Sequence, residues 1–265
     1  MHQYSRRLQV GKITLTHLEG IIKKVLVTGA SGLIGSDLIE AIKASHEVRT
    51  YSRRFVSGHE GVQADINDNV ALDTAMQGIH TVVHLAAVLP DSDDDQLLMA
   101  VNVTGTYNLF EAARKHGVQR VVLASTGAIS GGYMQDPQIK RIVAGEKEDI
   151  ADNDFTISEL DPPRPTGMYA VTKIWGEAVG RYHSEANGMS VICLRLGRVI
   201  ADDSPEDDLR QSIHLSRRDA VQAIVKSIES APDLKFASFY VSSDNKNRWC
   251  DNESARKHIG YIPLD

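Results

Sequence analysis

From Lys24 onward, short apolar runs alternate with longer stretches in which apolar residues return every three or four positions. The short runs Lys24–Thr28, Glu47–Ser52, Val62–Ala64, Thr81–Leu85, Arg120–Ala124 and Ser190–Leu196 predict strands. Helical spacing runs through Leu33–Lys43, Asp68–Gln77, Gln96–His116 and Met168–Ala186. Strands this apolar, each followed by a helix, bury both faces, which requires a parallel sheet covered by helices on both sides. The expected class is therefore α/β, a doubly wound parallel sheet.

Two regions break the alternation. Gly131 to Gly167 has mixed charge and contains Asp161-Pro-Pro-Arg-Pro165. It is too long for an idle connection and is placed to wall an active site. Ala201–Leu209 is acidic and leads to a last helix over Arg217–Ser230. Ser216 there stands as N-cap with Asp219 three residues on, close to a capping box. Phe236–Val241 reads as a further strand. Residues 1–22 lack the continuous apolar core of a secretory signal and read as an extension before the fold, with disorder one expectation. The expected division is 1–22 as extension, 23–197 as dinucleotide-binding domain, and 198–265 as a small substrate-binding portion.

Composition narrows the function more than the fold. The 265 residues carry a net charge of −6, which speaks against nucleic acid as the main partner. No apolar run could span a bilayer. Two cysteines, Cys193 in an apolar run and Cys250, imply no disulfide framework, so a reducing cytoplasm is expected.

Candidate chemistry begins at Gly29-Ala-Ser-Gly32-Leu-Ile-Gly35, after a strand and opening a helix. In such a loop the first glycine makes the turn, the second admits a pyrophosphate, and the third lets helix and strand pack closely. Gly29, Ser31, Gly32, Leu33 and Ile34 would then hold the phosphates with amides at a helix N-terminus. The alternative, a glycine turn without ligand, is weakened by the flanking strand and helix. At the end of the second strand, where an acid would select NAD, the chain reads Ser52-Arg53-Arg54. These arginines are either merely solvated or grip a 2′-phosphate, and NADP is favoured over NAD. Asp65 and Ile66 follow the third strand near the expected adenine. Leu85, Ala86 and Ala87 follow the fourth, where small residues admit a cofactor. His84, with His80 before it, reads as a structural histidine, and no metal is expected.

Ser125-Thr126 closes the fifth strand, and Tyr169-Ala-Val-Thr-Lys173 lies downstream. Residues four apart share a helix face, so the phenol and the ammonium would sit side by side. A neighbouring cation would lower the phenol's pKa toward the range of a general base. A hydroxyl from Ser125 or Thr126 could then donate to a substrate oxygen. Alone, the hydroxyl pair would be an ordinary turn. With a hydride acceptor in the glycine loop, the set points to an alcohol–carbonyl oxidoreductase.

Together with Asn102-Val-Thr-Gly-Thr-Tyr-Asn108, these motifs resemble the extended short-chain dehydrogenase/reductase superfamily, the NAD-dependent epimerase/dehydratase kind. The likeness runs from Lys24 to about Asp265. It implies a Rossmann-type fold, Thr126, Tyr169 and Lys173 as catalytic residues, and Asn102 and Leu196 among those lining the cofactor. Arg164-Pro-Thr-Gly-Met-Tyr169, Leu194-Arg-Leu-Gly197, Leu215-Ser-Arg-Arg-Asp219 and Gly260-Tyr-Ile-Pro263 look most like the uronate dehydrogenase and sugar dehydrogenase group. That resemblance implies a sugar-like substrate and a homodimer or higher oligomer paired through the helices at Gln96–His116 and Met168–Ala186. It also implies Arg210 as the clamp on a sugar carboxylate. The alternative for Arg210 is an exposed arginine paired with Asp207 or Asp208. Three departures leave the substrate open: no acid at Ser52, Gly127 in place of a larger polar residue, and the long 131–167 segment.

Three functions compete on this reading. Oxidation of a sugar's anomeric hydroxyl leads, with carbonyl reduction as its reverse. A nucleotide-sugar epimerase or dehydratase would need a larger C-terminal domain than the 92 residues after Lys173. A non-catalytic dinucleotide sensor could dispense with the Tyr–Lys pair that this chain keeps.

Overall fold

A computed structural model describes residues 22–90, 92, 94–146 and 156–265. The expected N-terminal extension lies, except for Ile22, outside these residues, as does part of the 131–167 segment.

Seven parallel strands form one sheet in the order β3-β2-β1-β4-β5-β6-β7. They are β1 Lys24–Thr28, β2 Glu47–Ser52, β3 Glu60–Gln63, β4 Thr81–His84, β5 Arg120–Thr126, β6 Ser190–Leu196 and β7 Phe236–Val241. The helices are α1 Leu33–Ile42, α2 Asn69–Ala75, α3 Asp95–Leu98, α4 Thr106–Lys115, α5 Pro137–Val143, α6 Met168–Asn187, α7 Asp208–Ser212, α8 Arg217–Glu229 and α9 Glu253–Ile259.

Strand alternation sorts the core into two layers. Val25, Val27, Ile192 and Leu194 face Leu38, Ile42, Ala220 and Ile224 of α1 and α8. Leu26, Val121, Val191 and Cys193 face the other side with Leu72, Leu109 and Phe110. Each large side chain so buried contributes about 1.5–3 kcal/mol. The chain reverses direction across the sheet between β1 and β4, and a crevice opens at the carboxyl ends of such strands.

Three details depart from expectation. The helix expected over Gln96–His116 is interrupted by a π-helical stretch, Met99–Gly105, between α3 and α4. The wide turn lets Ile66 pack against Gly105, where a Cβ would come within 2.5 Å of the Ile66 side chain. α8 is not the last helix, since α9 follows it. The capping box is half formed: Ser216 accepts from the Asp219 amide at 3.1 Å. The fully buried Asp219 carboxylate instead accepts from Ser243 Oγ and the Leu264 amide, both at 2.7 Å, strapping down the C-terminal segment. Residues 198–265 are built onto the sheet. β7 extends the sheet and α8 packs on α1, so this portion shares the dinucleotide-binding core.

In the 131–167 region, a 3₁₀ stretch Gly127–Gln135 leads into α5. Ile139 and Ile142 of α5 pack with Tyr240 and Trp249. α6 starts after Gly167 and ends at Gly188, whose φ of +70° gives a left-handed cap.

Candidate active site

The glycine loop is fixed by backbone packed against backbone. Gly29 has φ +68°, and a Cβ there would lie 2.7 Å from the Ala86 nitrogen and 2.8 Å from the Leu85 carbonyl carbon. A Cβ on Gly35 would lie 2.5 Å from Gly29 O and 2.9 Å from Ala30 Cα, so α1 is seated directly on the turn. Gly32 is the N-cap of α1 and has no side-chain cap. The amides of Leu33 and Ile34 in the first turn have no intrahelical acceptor, and the helix dipole makes this end attractive to an anion. This side-chain-free cradle at a helix N-terminus fits a dinucleotide pyrophosphate.

Beside it, Arg54 Nη2 donates to Ser31 O at 2.9 Å, with Nε 3.5 Å from Ser31 Oγ. The guanidinium thus lies against the glycine loop. The Ser52 hydroxyl donates to Arg54 O at 2.5 Å. Arg53 is exposed, and its carbonyl accepts from Gln63 Nε2 at 3.1 Å. Asp65 is exposed, accepting from the amide and side chain of Asn67 at 3.0 and 3.2 Å. Ile66 is buried beneath Gly105.

His84 is a buried brace. Its Nδ1 is 2.7 Å from Thr28 Oγ1 and its Nε2 is 3.1 Å from Thr106 Oγ1. Burial lowers its pKa to about 3, and the ring is neutral. Thr28 Oγ1 also accepts from the Ala86 amide at 3.3 Å, which ties the end of β1 to the Leu85-Ala86-Ala87 wall.

Asn102 is buried and bonded within the fold. Its amide accepts from Val88 N at 2.8 Å and donates to Val88 O at 3.0 Å and Thr172 Oγ1 at 3.2 Å. With these bonds made, it anchors the post-β4 segment to α6. The π-helical turn at Met99–Gly105 carries it to that position.

Thr126 and Leu196 are register partners at the ends of β5 and β6. The Thr126 side chain lies near the Tyr169 phenol and accepts from the Ala128 amide at 3.2 Å, and Lys173 follows one turn later on α6. Burial, and not the neighbouring lysine, dominates the phenol here. Burial pushes the Tyr169 phenol up to about 12, with the neighbouring Thr126 hydroxyl acting the other way. The Lys173 ammonium lies 5.7 Å from the Tyr169 ring centroid and donates instead to Ala124 O at 2.8 Å. Its own burial lowers its pKa to about 8.

The hydroxyl pair separates because successive strand residues point to opposite faces. Ser125 is buried and donates to Glu177 Oε1 at 2.5 Å. Arg210 is not presented as a lone clamp either. It pairs with Glu206 at 3.1 Å and with Asp207, the expected alternative with one partner added. Arg198, just past β6, shares Glu206 at 3.5 Å.

Glu177 and Arg195 escaped the sequence reading. Arg195 Nε and Nη2 donate to the two Glu177 carboxylate oxygens at 3.1 and 2.9 Å, and both residues are buried. The available signal was the spacing: Glu177 stands four residues after Lys173, on the same helix face.

Comparison with known proteins agrees with this geometry. The sequence profile described as "NAD dependent epimerase/dehydratase family" matches residues 25–230. The chain is 33% identical to an L-arabinose 1-dehydrogenase (NAD(P)(+)) of Haloferax volcanii, covering 91% of this chain and 96% of the relative. It is 30% identical to an NAD-dependent glucose-6-phosphate dehydrogenase of the same organism, over 91% and 93% of the two chains. The crystal structure of uronate dehydrogenase from Agrobacterium tumefaciens superposes with a TM-score of 0.77 at 28% identity, covering 92% of this chain and 85% of that one.

Proposed function

The chain belongs to the NAD-dependent epimerase/dehydratase family, and we propose that it oxidises the anomeric hydroxyl of a small sugar or sugar acid. The product would be a lactone together with reduced cofactor. Bound in the glycine cradle, a nicotinamide dinucleotide supplies the hydride acceptor. The observation that carries the reading is the convergence of Thr126, at the carboxyl end of β5, with Tyr169 and, one helical turn on, Lys173 of α6. The three relatives described above are named for a sugar, a sugar phosphate and a sugar acid.

In this mechanism Tyr169 takes the hydroxyl proton while Thr126 hydrogen-bonds the same oxygen. A buried phenol that ionises near 12 is neutral at pH 7, so proton removal needs nearby positive charge. Lys173, buried one turn away, is the residue able to provide it. NADP is preferred over NAD on this proposal, because Ser52 stands where an acid would select NAD and the Arg54 guanidinium lies against the glycine loop at Ser31. Two free cysteines and no membrane-crossing helix among the described residues accord with a cytoplasmic enzyme. A homodimer paired through α4 and α6 would cover Tyr107, Val171 and Tyr182, which are 50%, 41% and 62% exposed.

The test is absorbance of reduced nicotinamide, with NAD and NADP each offered arabinose, glucose, glucose 6-phosphate, glucuronate and galacturonate. Tyr169→Phe should lower turnover about 10²–10⁴-fold while leaving cofactor affinity intact. Turnover that survives this substitution would discard Tyr169 as the base and favour a sensor or another chemistry.

A further inference from the structure

The buried Glu177 carboxylate receives more hydrogen bonds than a single ion pair would bring. Oε1 accepts from Ser125 Oγ at 2.5 Å and Arg195 Nε at 3.1 Å. Oε2 accepts from Arg195 Nη2 at 2.9 Å and Ser238 Oγ at 3.3 Å. One side chain of α6 thereby grips three adjacent strands: β5 at Ser125, β6 at Arg195 and β7 at Ser238. Each grip on β5 and β6 falls one residue short of a register pair at the crevice, since Ser125 precedes Thr126 and Arg195 precedes Leu196. On the helix, Glu177 lies one turn beyond Lys173 and two beyond Tyr169.

A buried ion pair is weak evidence for stability, since its desolvation cost rivals its attraction. This one also borders an open pocket of about 400 Å³ that Ile174, Arg181 and Phe236 help to line. Arg195 is held on its other side by stacking over Tyr240, 5.0 Å from the ring centroid.

We propose that Ser125, Glu177 and Arg195 form a positioning unit that sets the distance between the Thr126 end of β5 and the Tyr169–Lys173 face of α6. None of the three touches substrate. The unit acts through Thr126 and Lys173, so the proposal rests on the catalytic reading given above. Misplacement of reacting groups by about 1 Å costs on the order of 10²-fold in rate, so a tether at this point has leverage.

Ser125→Ala removes one hydroxyl and leaves the Glu177–Arg195 pair in place, making it the least disruptive variant. Its assay uses the sugar whose turnover depends on Tyr169, which establishes the catalytic reading separately. A fall in kcat of about tenfold or more is expected, with substrate KM and the fluorescence-measured Kd of reduced cofactor unchanged. A raised KM with kcat preserved would make Ser125 a substrate ligand and overturn the proposal. Wild-type values for both would overturn it equally.

Glu177→Gln supplies the second arm. Its effect on kcat should be non-additive with that of Ser125→Ala, because both cut the same tether. Loss of thermal stability with kcat retained in the folded fraction would assign Glu177 a purely structural role.

Discussion

The glycine loop and the segment that follows β6 both lie at the carboxyl end of the sheet, and they are built on opposite plans. At the loop, backbone meets backbone: the missing Cβ atoms of Gly29 and Gly35 leave no room to spare. After β6, Arg198, Glu206, Asp207 and Arg210 form ion pairs whose side chains are 42–57% exposed. Close packing admits one geometry, whereas exposed ion pairs exchange partners at little cost. A cofactor shared across a family suits the first plan. A substrate that differs among relatives suits the second.

The largest effect should come from breaking the rigid side. Gly29→Ala puts a methyl against the Leu85–Ala86 backbone at a position with φ +68°. It should weaken reduced-cofactor binding by roughly 100-fold, or about 2.7 kcal/mol, in a fluorescence titration. A near-normal Kd would mean the loop yields, and the contrast would collapse.

Arg54→Ala sharpens the comparison within the cofactor wall. Losing the guanidinium beside Ser31 should cost about tenfold in NADP affinity, on the scale of one charge-assisted hydrogen bond, and leave NAD affinity alone. Equal losses for both cofactors would assign Arg54 to holding the loop instead.

Lys173 probes the seam between the two plans. Its pKa is lowered by burial to about 8, below its ordinary value of 10.5. Between those values the unfolded chain binds the extra proton, so stability rises with pH across that window. Below pH 8 the full cost of burying the ammonium is present. Lys173→Met should therefore raise the melting temperature at pH 7, with the gain shrinking toward pH 10. Thermal scans of both proteins at the two pH values measure this, and a destabilised variant at pH 7 would contradict it.

Arg210→Ala should do least. Exposed pairs contribute little, so the melting temperature should move by about one degree or less. If uronate turnover falls while neutral sugars are unaffected, Arg210 leaves its carboxylate partners to bind substrate. If all sugars are unaffected, it is a surface residue.

Legibility of the chain follows the same division. β1, β2, β6 and β7 have the bounds expected from their apolar runs, and α1 and α6 came within one residue of theirs. The glycine spacing and the Tyr169–Lys173 spacing were readable because each is a local geometric requirement. The π-helical turn at Met99–Gly105 was not, since it answers to Ile66, a residue distant in sequence. Ser125 and Thr126 looked equivalent until strand alternation sent one toward Glu177 and left the other at Tyr169.

By itself, the sequence determined the layered α/β class, the dinucleotide loop and the identity of the hydroxyl, phenol and ammonium on the crevice, because periodicity and short spacings act within one element. Tertiary structure alone decided the ionisation of those groups and the partners of Arg54, Asn102, Ser125 and Arg210. Burial and pairing depend on which distant residues converge. The Tyr169 phenol rises toward 12 because the fold removes it from water, and Lys173 turns to Ala124 because that carbonyl is the acceptor within reach.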